Sequence, residues 1–396
     1  MIYRRFGKTG LPMPVLSFGA MRSMHSWQDC QDESIPDTSQ TTLRRILKTA
    51  LAHGITHFET ASGYGSSERQ LGLLLPEFTR HSYLLQTKIV PEDDPDAFVA
   101  SFHQSLRRLR VEYVDLLAIH GINDHRSLWQ SCRKNGCLAA ARTLQDRGLA
   151  RHIGFSGHGP SDVILAALAH AEDGGFDYFN VHWYYIFDAN RDAIEYAAAN
   201  DIGTFIISPS DKGGHLHTPS ARLRELCAPY SPMLFNDWYC LSRPSVHTIS
   251  VGAAEPAHFE EHLKVLALLE SAESDGLSLI DSRLRHRMEQ QTGFARPDHL
   301  WDELPPWDQA PGNINLRMVV WLYNLLRGWQ MEHYVNERYA MLKGGSAWVP
   351  GNDSSRAAEL DFSGLKGLRS ISPDALKKLL HKAHQAMYQP PDPDRK

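Results

Sequence analysis

Short apolar runs alternate with helical patterns from about residue 15 to about residue 270 of this 396-residue chain. Such alternation indicates a parallel sheet, because two parallel strands need a long crossover connection between them. Eight such units in about 250 residues fit a closed (β/α)₈ barrel. The eight predicted strands are residues 15–20, 55–60, 83–89, 113–120, 151–157, 178–184, 203–208 and 247–253.

An open, doubly wound sheet is the main alternative to a barrel. A dinucleotide-binding sheet of that kind carries a GxGxxG turn after its first strand, and SFGAMRSMHSW (17–27) contains none. We therefore predict an α/β fold of the (β/α)₈ TIM-barrel type. The segment YRRFGKTGLPMPVLSFG (3–19) predicts two short strands around Gly10, which would form a β-hairpin plug at the bottom of the barrel.

The composition of the chain changes after about residue 270. Residues 281–313 are rich in proline, tryptophan and charged side chains, and residues 314–342 show a strongly helical pattern. We predict two domains on this basis. Residues 1–275 would form the barrel, and residues 276–396 a mostly helical C-terminal extension.

Charge and cysteine content limit the classes of function. The net charge of −5 gives no electrostatic argument for a nucleic acid or an anionic membrane as partner. We find no apolar run long enough for a membrane span and no secretion signal at the N-terminus. The five cysteines fit a reducing cytosol, so we expect a cytoplasmic protein.

Ionisable residues stand at the carboxyl ends of three consecutive predicted strands. These residues are Glu59, Lys88 and His120, and Tyr64 lies in the loop after the second strand. Catalytic residues of (β/α)₈ barrels come from these strand ends. We therefore expect the four side chains to meet at the mouth of the barrel.

The four residue types suit proton transfer to a carbonyl oxygen. A phenol titrates near pH 10, and an adjacent ammonium such as Lys88 favours the phenolate and lowers the pKa of Tyr64. Glu59 would hold the ammonium in place, and His120 would hydrogen-bond and orient a substrate carbonyl. Such a site needs only a hydride source to act as a reductase.

These residues resemble the motifs of the aldo-keto reductases, NAD(P)H-dependent oxidoreductases on a (β/α)₈ barrel. The matching stretches are Glu59-Thr-Ala-Ser-Gly-Tyr64-Gly, Thr87-Lys88, Tyr113-Val-Asp-Leu through His120, and Ile153-Gly-Phe-Ser156. The resemblance covers about residues 1–270. It implies that Tyr64 is the general acid, Lys88 its partner and His120 the residue that orients the substrate.

The resemblance also implies where NADP(H) or NAD(H) would bind. Ser156 and Asn180 would contact the nicotinamide amide, and Ser208, Lys212 and Gly213 would lie against the pyrophosphate. The segment 250–263, which contains Gly252, corresponds to the family's binding segment for the 2′-phosphate of NADP. There Ala254 stands where related members often have arginine, and His262 stands where they have asparagine. The sequence leaves NAD and NADP as alternatives.

Glu59 is a further departure, because the family has aspartate at this position. The extra methylene could move the carboxylate by about 1.5 Å, and active-site geometry is sensitive on that scale. We expect reduced or altered chemistry more readily than none.

The C-terminal extension resembles the ferredoxin-like (4Fe-4S) module of one branch of the family. The module's motif Gly-Ile-Asn-Ile is similar to Gly312-Asn-Ile-Asn of this chain. The positions of the cluster cysteines hold Leu300, Glu303, Pro306 and Ala310 and, in a second copy, Phe362, Leu365, Leu368 and Ser372. With no cysteine there, we expect no iron–sulfur cluster, and we interpret the extension as a relic that packs on the barrel or binds a protein partner.

We predict no metal site. His215 and His217 alternate in a loop, but no third ligand is in view, and such pairs are more often solvated loop residues. Two functional hypotheses follow. The first is an NAD(P)H-dependent reductase of a small aldehyde or ketone, with proton donation by Tyr64. The alternative is a catalytically impaired relative that acts as a cofactor-sensing or partner-binding module.

Overall fold

The computed structural model describes residues 1–271 and 275–389, which fall into two compact units. Among the described residues, the first unit contains Met1–Tyr184, Asn190–Lys212 and residues 236–271. The second contains Tyr185–Ala189, Gly213–Phe235 and residues 275–389. Two short segments inside the predicted barrel range 1–275 thus belong to the second unit. The predicted boundary itself adjoins residues 272–274, outside the described ranges, and stays a prediction.

Eight parallel strands of the first unit close into a barrel, in which each strand pairs with the next one along the chain and the last pairs with the first. This confirms the predicted (β/α)₈ TIM barrel, and each predicted strand is found at its predicted place. The strands are β3 (Leu16–Gly19), β4 (His57–Glu59), β5 (Leu84–Ile89), β6 (Val114–His120), β7 (Ala150–Gly157), β8 (Tyr178–Val181), β9 (Gly203–Ile206) and β10 (Thr248–Val251).

The predicted N-terminal hairpin is also confirmed. Strands β1 (Tyr3–Arg5) and β2 (Pro12–Pro14) pair antiparallel. Phe6, fully buried between them, packs its ring 5.5 Å from that of Tyr178, and both belong to a core cluster with Leu116 and Ala118. The hairpin therefore fills one end of the barrel with apolar side chains.

The same packing fixes which residues of β6 point into the barrel. Side chains alternate along a strand, so His120, two residues beyond Ala118, points to the same side as Ala118 and Leu116. The carboxyl end of β6 lies away from the hairpin, and His120 is its last residue. The inward side of β6 is thus apolar at Leu116 and Ala118 and polar at its carboxyl end, where His120 lies.

Helices follow the strands and continue through the second unit. Those with residues in the first unit are α1 (Asp37–Ala52), α2 (Ser67–Leu74), α3 (Pro95–Leu109), α4 (His125–Cys132), α5 (Cys137–Asp146), α6 (Ser161–Ala169), α7 (Arg191–Ala199), α9 (Pro232–Leu241), α10 (His258–Leu263) and α11 (Val265–Glu270). The remaining ones are α8 (Ala221–Cys227), α12 (Asp275–Thr292), α13 (Leu316–Trp329), α14 (Glu332–Ala340) and α15 (Pro373–Met387). Within residues 1–271 and 275–389, no helix has the length and hydropathy to span a membrane.

The second unit is mostly helical, as predicted. Trp321 and Trp329 of α13 are buried, and their indole N–H groups donate to the carbonyl oxygens of Ile186 and Leu284. Three of the eight positions compared with cluster cysteines hold buried apolar residues, namely Leu300, Ala310 and Phe362. The resemblance to a ferredoxin-like module stays a prediction.

Glu303, at another of those positions, is the centre of a hydrogen-bond network. Its carboxylate accepts from the backbone N–H groups of Arg369 and Ser370, at 2.7 and 2.8 Å, and from the Ser370 hydroxyl. Although burial opposes the shift, these bonds lower the pKa of Glu303 to about 2. The carboxylate thus joins two loops that are 66 residues apart.

Replacing Glu303 with glutamine tests this network. We expect Glu303→Gln to lower the free energy of unfolding by about 1–3 kcal/mol, because hydrogen bonds to a charged acceptor are replaced by weaker ones to a neutral amide. A depressed pKa contributes stability above the unfolded pKa of about 4.3. The difference between wild type and variant should therefore shrink as the pH falls toward about 2.

Urea unfolding at a series of pH values measures this difference. Glu359→Gln is the matched control, because Glu359 is an exposed residue of the same unit that pairs only with Arg356 among the contacts of the described residues. A Glu303→Gln effect that is absent at neutral pH, or that does not change with pH, would contradict the assignment.

Candidate active site

The side chains of Glu59, Tyr64 and Lys88 meet around one buried ammonium group. Lys88 is 1% exposed, and its Nζ forms an ion pair with Glu59, donates to the Thr60 carbonyl oxygen at 3.1 Å and donates to the Tyr64 hydroxyl at 3.1 Å. An ammonium has three N–H donors, so all of its hydrogen-bonding capacity is used. The phenolic O–H of Tyr64 remains available to another acceptor.

His120 lies beside this group. Its ring is 5.7 Å from that of Tyr64, in an edge-to-face arrangement at 86°. Its Nδ1 is buried and has no hydrogen-bond partner among the residues that the structure describes. The structure thus brings together the four residues that were predicted as catalytic.

Space for the longer side chain of Glu59 comes from the neighbouring strand. Gly19 of β3 is the Cα partner of Glu59 in the barrel. A Cβ on Gly19 would lie 3.1 Å from the Glu59 carboxylate and 2.4 Å from Ser250 Oγ. The backbone of Gly19 has a φ of −91°, which any residue can adopt. Glycine is therefore needed here because a side chain would collide with its neighbours, and not because of its backbone conformation.

The Tyr64 loop is fixed by a close backbone contact. Gly65 adopts a φ of +46°, and a Cβ there would lie 2.0 Å from the Ser26 carbonyl oxygen. That oxygen accepts from the Ser66 N–H at 3.0 Å. Only glycine fits this approach without displacement, and it places Tyr64 next to Lys88.

The pKa of Tyr64 differs from the expectation drawn from the sequence. The sequence predicted that Lys88 would lower the pKa of Tyr64, whereas burial raises it to about 12. Burial also lowers the pKa of the Lys88 ammonium, and the adjoining Glu59 carboxylate acts in the opposite sense because it stabilises the charged form. The phenol is therefore protonated at neutral pH.

Burial has the same effect on the imidazole of His120. Desolvation, with the charges of Lys88 and Lys212, lowers the pKa of His120 to about 3. At neutral pH its ring is uncharged, with one N–H donor and one acceptor. A neutral imidazole can still donate a hydrogen bond to a carbonyl oxygen.

Ser156 and Asn180 continue the polar surface onto β7 and β8. Register pairs His120 with Ser156 and Ser156 with Asn180. The Ser156 hydroxyl accepts from the Gly121 N–H at 3.0 Å. Both amide atoms of Asn180 are buried and lack partners within the described part of the chain. An amide ligand with its own donor and acceptor would satisfy them.

The loop after β9 brings Lys212 to a pair of histidines that the sequence analysis did not single out. Lys212 Nζ lies 3.1 Å from His182 Nε2, which lies 2.7 Å from His158 Nδ1. The signal was present in the sequence, because these histidines follow Asn180 and Ser156 by two residues and stand just beyond the carboxyl ends of β8 and β7. Ser208 starts the loop at φ +55°, and its carbonyl accepts from the Lys212 N–H.

Three other predicted cofactor residues have different surroundings. The carbonyl of Gly252 accepts from Arg22, an exposed residue that the sequence analysis also missed, at 3.0 Å. His262 is fully buried and pairs through Nδ1 with Asp237. Gly213 belongs to the second unit. The roles of all three toward a cofactor stay predictions.

Curated proteins similar to this chain are reductases and dehydrogenases. L-glyceraldehyde 3-phosphate reductase of Escherichia coli (strain K12) is 30% identical over 176 residues, which are 40% of this chain and 46% of that protein. This match spans just under half of the relative's length. L-galactose dehydrogenase of Arabidopsis thaliana is 24% identical over 308 residues, 69% of this chain and 90% of that protein.

Solved structures share the fold. An aldo-keto reductase from Bacillus halodurans, in its holo form, has a TM-score of 0.57 at 20% identity, over 72% of this chain and 96% of that one. An aldo/keto reductase from Klebsiella pneumoniae, in complex with NADP and acetate, has a TM-score of 0.57 at 18% identity, over 71% and 94%. Identities this low support the barrel fold alone.

The family comparison extends over the barrel. The profile of the Aldo/keto reductase family matches residues 15–232, which is more than half of the chain. The matched range includes Glu59, Tyr64, Lys88 and His120. Together with the closed eight-stranded barrel, this match shows that the chain belongs to the aldo/keto reductase family.

Proposed function

We propose that this protein is an NAD(P)H-dependent oxidoreductase that reduces an aldehyde or ketone to an alcohol. The observation that carries the proposal is the contact between Lys88 and Tyr64, with Glu59 behind the ammonium and His120 beside the phenol. It joins a proton donor, a charge that stabilises its conjugate base, and a neutral residue able to orient the carbonyl.

The residues at the mouth of the barrel fit a nicotinamide cofactor. The orphaned amide of Asn180 and the buried Ser156 match the donor and acceptor of a carboxamide. Lys212 supplies a cation for a phosphate group. When bound, the cofactor would supply the hydride that reaches the carbonyl carbon.

The chain's own residues account for the proton. Tyr64, protonated at neutral pH because its pKa is about 12, would donate its phenolic proton to the substrate oxygen. Lys88 already donates to the phenolic oxygen, so the resulting phenolate is stabilised where it forms. His120 would donate a second hydrogen bond to the carbonyl and hold it in line with Tyr64.

The impaired-relative alternative draws its support from Glu59 and Ala254. Glu59 nevertheless reaches the Lys88 ammonium, and the reductase proposal therefore has the stronger physical basis. A sugar or a sugar phosphate is a reasonable first substrate to test, since the two relatives named above carry such substrates in their names.

Tyr64→Phe tests the proposed proton donor. We expect NADPH oxidation with an aldehyde substrate to fall by about 10²–10⁴ fold, the range for loss of a general acid. Binding of NADPH or NADH, measured by the quenching of tryptophan fluorescence, should persist in the variant. Tyr3→Phe, in the hairpin and exposed, is the control and should match wild type.

The outcomes separate the two proposals. Cofactor binding with turnover that depends on Tyr64 supports the reductase and identifies the preferred cofactor. Binding without turnover on a broad panel of aldehydes and ketones would favour the cofactor-sensing alternative. No binding of either nucleotide up to millimolar concentration would refute the reductase proposal.

A second prediction concerns the carboxylate. We expect Glu59→Asp to keep or raise kcat, because it restores the family's residue next to Lys88. We expect Glu59→Gln to destabilise the protein by about 3–5 kcal/mol, since it leaves a buried ammonium without its counter-charge. Thermal unfolding and steady-state kinetics measure both effects.

Glu77→Gln is the matched control for this pair, because Glu77 forms an ion pair with Arg44 in which both side chains are 37% exposed. It should change neither quantity measurably. A Glu59→Gln variant as stable as wild type would show that the Lys88 ammonium is not held by Glu59.

A further inference from the structure

Three metal-binding side chains of the second unit converge: His215, His333 and Glu337. One potential ligand atom from each lies within 4.8 Å of those of the other two. Nδ1 of His215 is 3.0 Å from Nδ1 of His333, and Nε2 of His215 is 3.5 Å from a carboxylate oxygen of Glu337. Two imidazoles and one carboxylate form a donor set that suits Zn²⁺ and its neighbours in the first transition row.

The backbone places the three residues from two separate segments. His333 and Glu337 are four residues apart in α14, and this spacing puts both side chains on one face of the helix. His215 comes from the loop before α8, 118 residues away from His333, with a left-handed φ of +51°. A shared ion would therefore cross-link two distant parts of the second unit.

The sequence could not indicate this cluster. It predicted no metal site because His215 and His217 had no third ligand in view. In the structure His215 contacts His333, Glu337 and Arg338 of α14. Their convergence depends on the packing of α14 against the loop, which no local pattern encodes.

A cavity adjoins the two histidines. It has a volume of about 370 Å³ and is lined, among others, by Gly214, His215, His333 and Tyr334. Gly214 permits this arrangement, since its φ is +125° and a Cβ there would lie 2.6 Å from the Met331 side chain. Three protein ligands next to such a space leave a coordination position for water, as in open zinc sites.

Arg338 orients the carboxylate. It is 5% exposed, and its guanidinium donates to one oxygen of Glu337 at 2.9 Å and packs over the rings of Tyr334 and Trp348. Hydrogen bonds to a ligating carboxylate fix its direction. The positive charge also opposes a cation, so a dissociation constant in the micromolar range is expected rather than tighter binding.

We propose that His215, His333 and Glu337 bind one divalent transition-metal ion, with zinc as the best match to the donor set, and that the ion stabilises the second unit. The ligands must be neutral imidazoles and an ionised carboxylate, so protons compete with the metal. Binding is therefore expected to weaken in acid solution.

Calorimetry with zinc chloride tests the proposal. The full-length chain, without an affinity tag and stripped with a chelator, is titrated at pH 7.5 and at pH 5.5. The expected result is one equivalent of zinc at pH 7.5, at least tenfold weaker binding at pH 5.5, and a Tm that rises by roughly 5 °C at a hundredfold excess over Kd.

Variants assign the ligands. His333→Ala and Glu337→Gln should each weaken zinc binding at least tenfold, and His217→Ala, which changes an exposed histidine of the same loop, should leave it unchanged. Residues 333 and 337 are exposed, and circular dichroism verifies that both variants fold. Cobalt(II) spectra distinguish these ligands from the free cysteines, because thiolates give an intense charge-transfer band.

The proposal is supported by one equivalent that depends on His333 and Glu337 and shows no thiolate band. It is overturned if the wild type takes up no zinc, or if the equivalent persists in both variants. Neither result depends on reductase activity, so the metal site and the proposed function can fail separately.

Discussion

A positive charge inside the barrel has to be compensated, and the site is arranged around that requirement. An unpaired buried ammonium would be very costly, but Lys88 directs its three donors to Glu59, the Thr60 carbonyl and Tyr64. Each partner comes from β4 or the loop that follows it. The loop geometry at Gly65 and the path of β4 therefore both depend on one side chain of β5. In the same set of contacts, the Tyr64 oxygen accepts a hydrogen bond from Lys88, and its O–H group remains able to donate to another acceptor.

The convergence of the strand-end residues could be predicted from the sequence, because it follows from two general rules of strand geometry. Side chains alternate along a strand, and all parallel strands of a barrel end at the same mouth. Glu59, Lys88 and His120 follow from these rules without knowledge of any contact. The pKa of Tyr64 did not follow, because it depends on how completely the loop buries the phenol. Burial raises this pKa to about 12, and a sequence pattern that reveals a neighbouring lysine contains no measure of burial.

Contacts between distant segments account for most of what the sequence did not reveal. Glu303 occupies a position that was compared with a cluster cysteine, yet its role is set by backbone N–H groups 66 and 67 residues later in the chain. His262 was predicted to face a cofactor, and only the fold reveals Asp237 beside it. Identity and position along an element are local properties, whereas partners depend on how loops and helices pack.

The glutamate at position 59 illustrates how a local departure can be absorbed by its neighbours. The carboxylate of Glu59 lies against β3, where a Cβ on Gly19 would stand 3.1 Å from one carboxylate oxygen. Because the φ of Gly19 is ordinary, an alanine there would be resisted by contact and not by backbone strain. Ser250 Oγ, only 2.4 Å from the same Cβ position, would have to move as well. The placement of Glu59 on Lys88 therefore depends on the missing side chain of Gly19, and the carboxylate has to be considered together with Gly19 of β3 and Ser250 of β10 rather than as a single substitution.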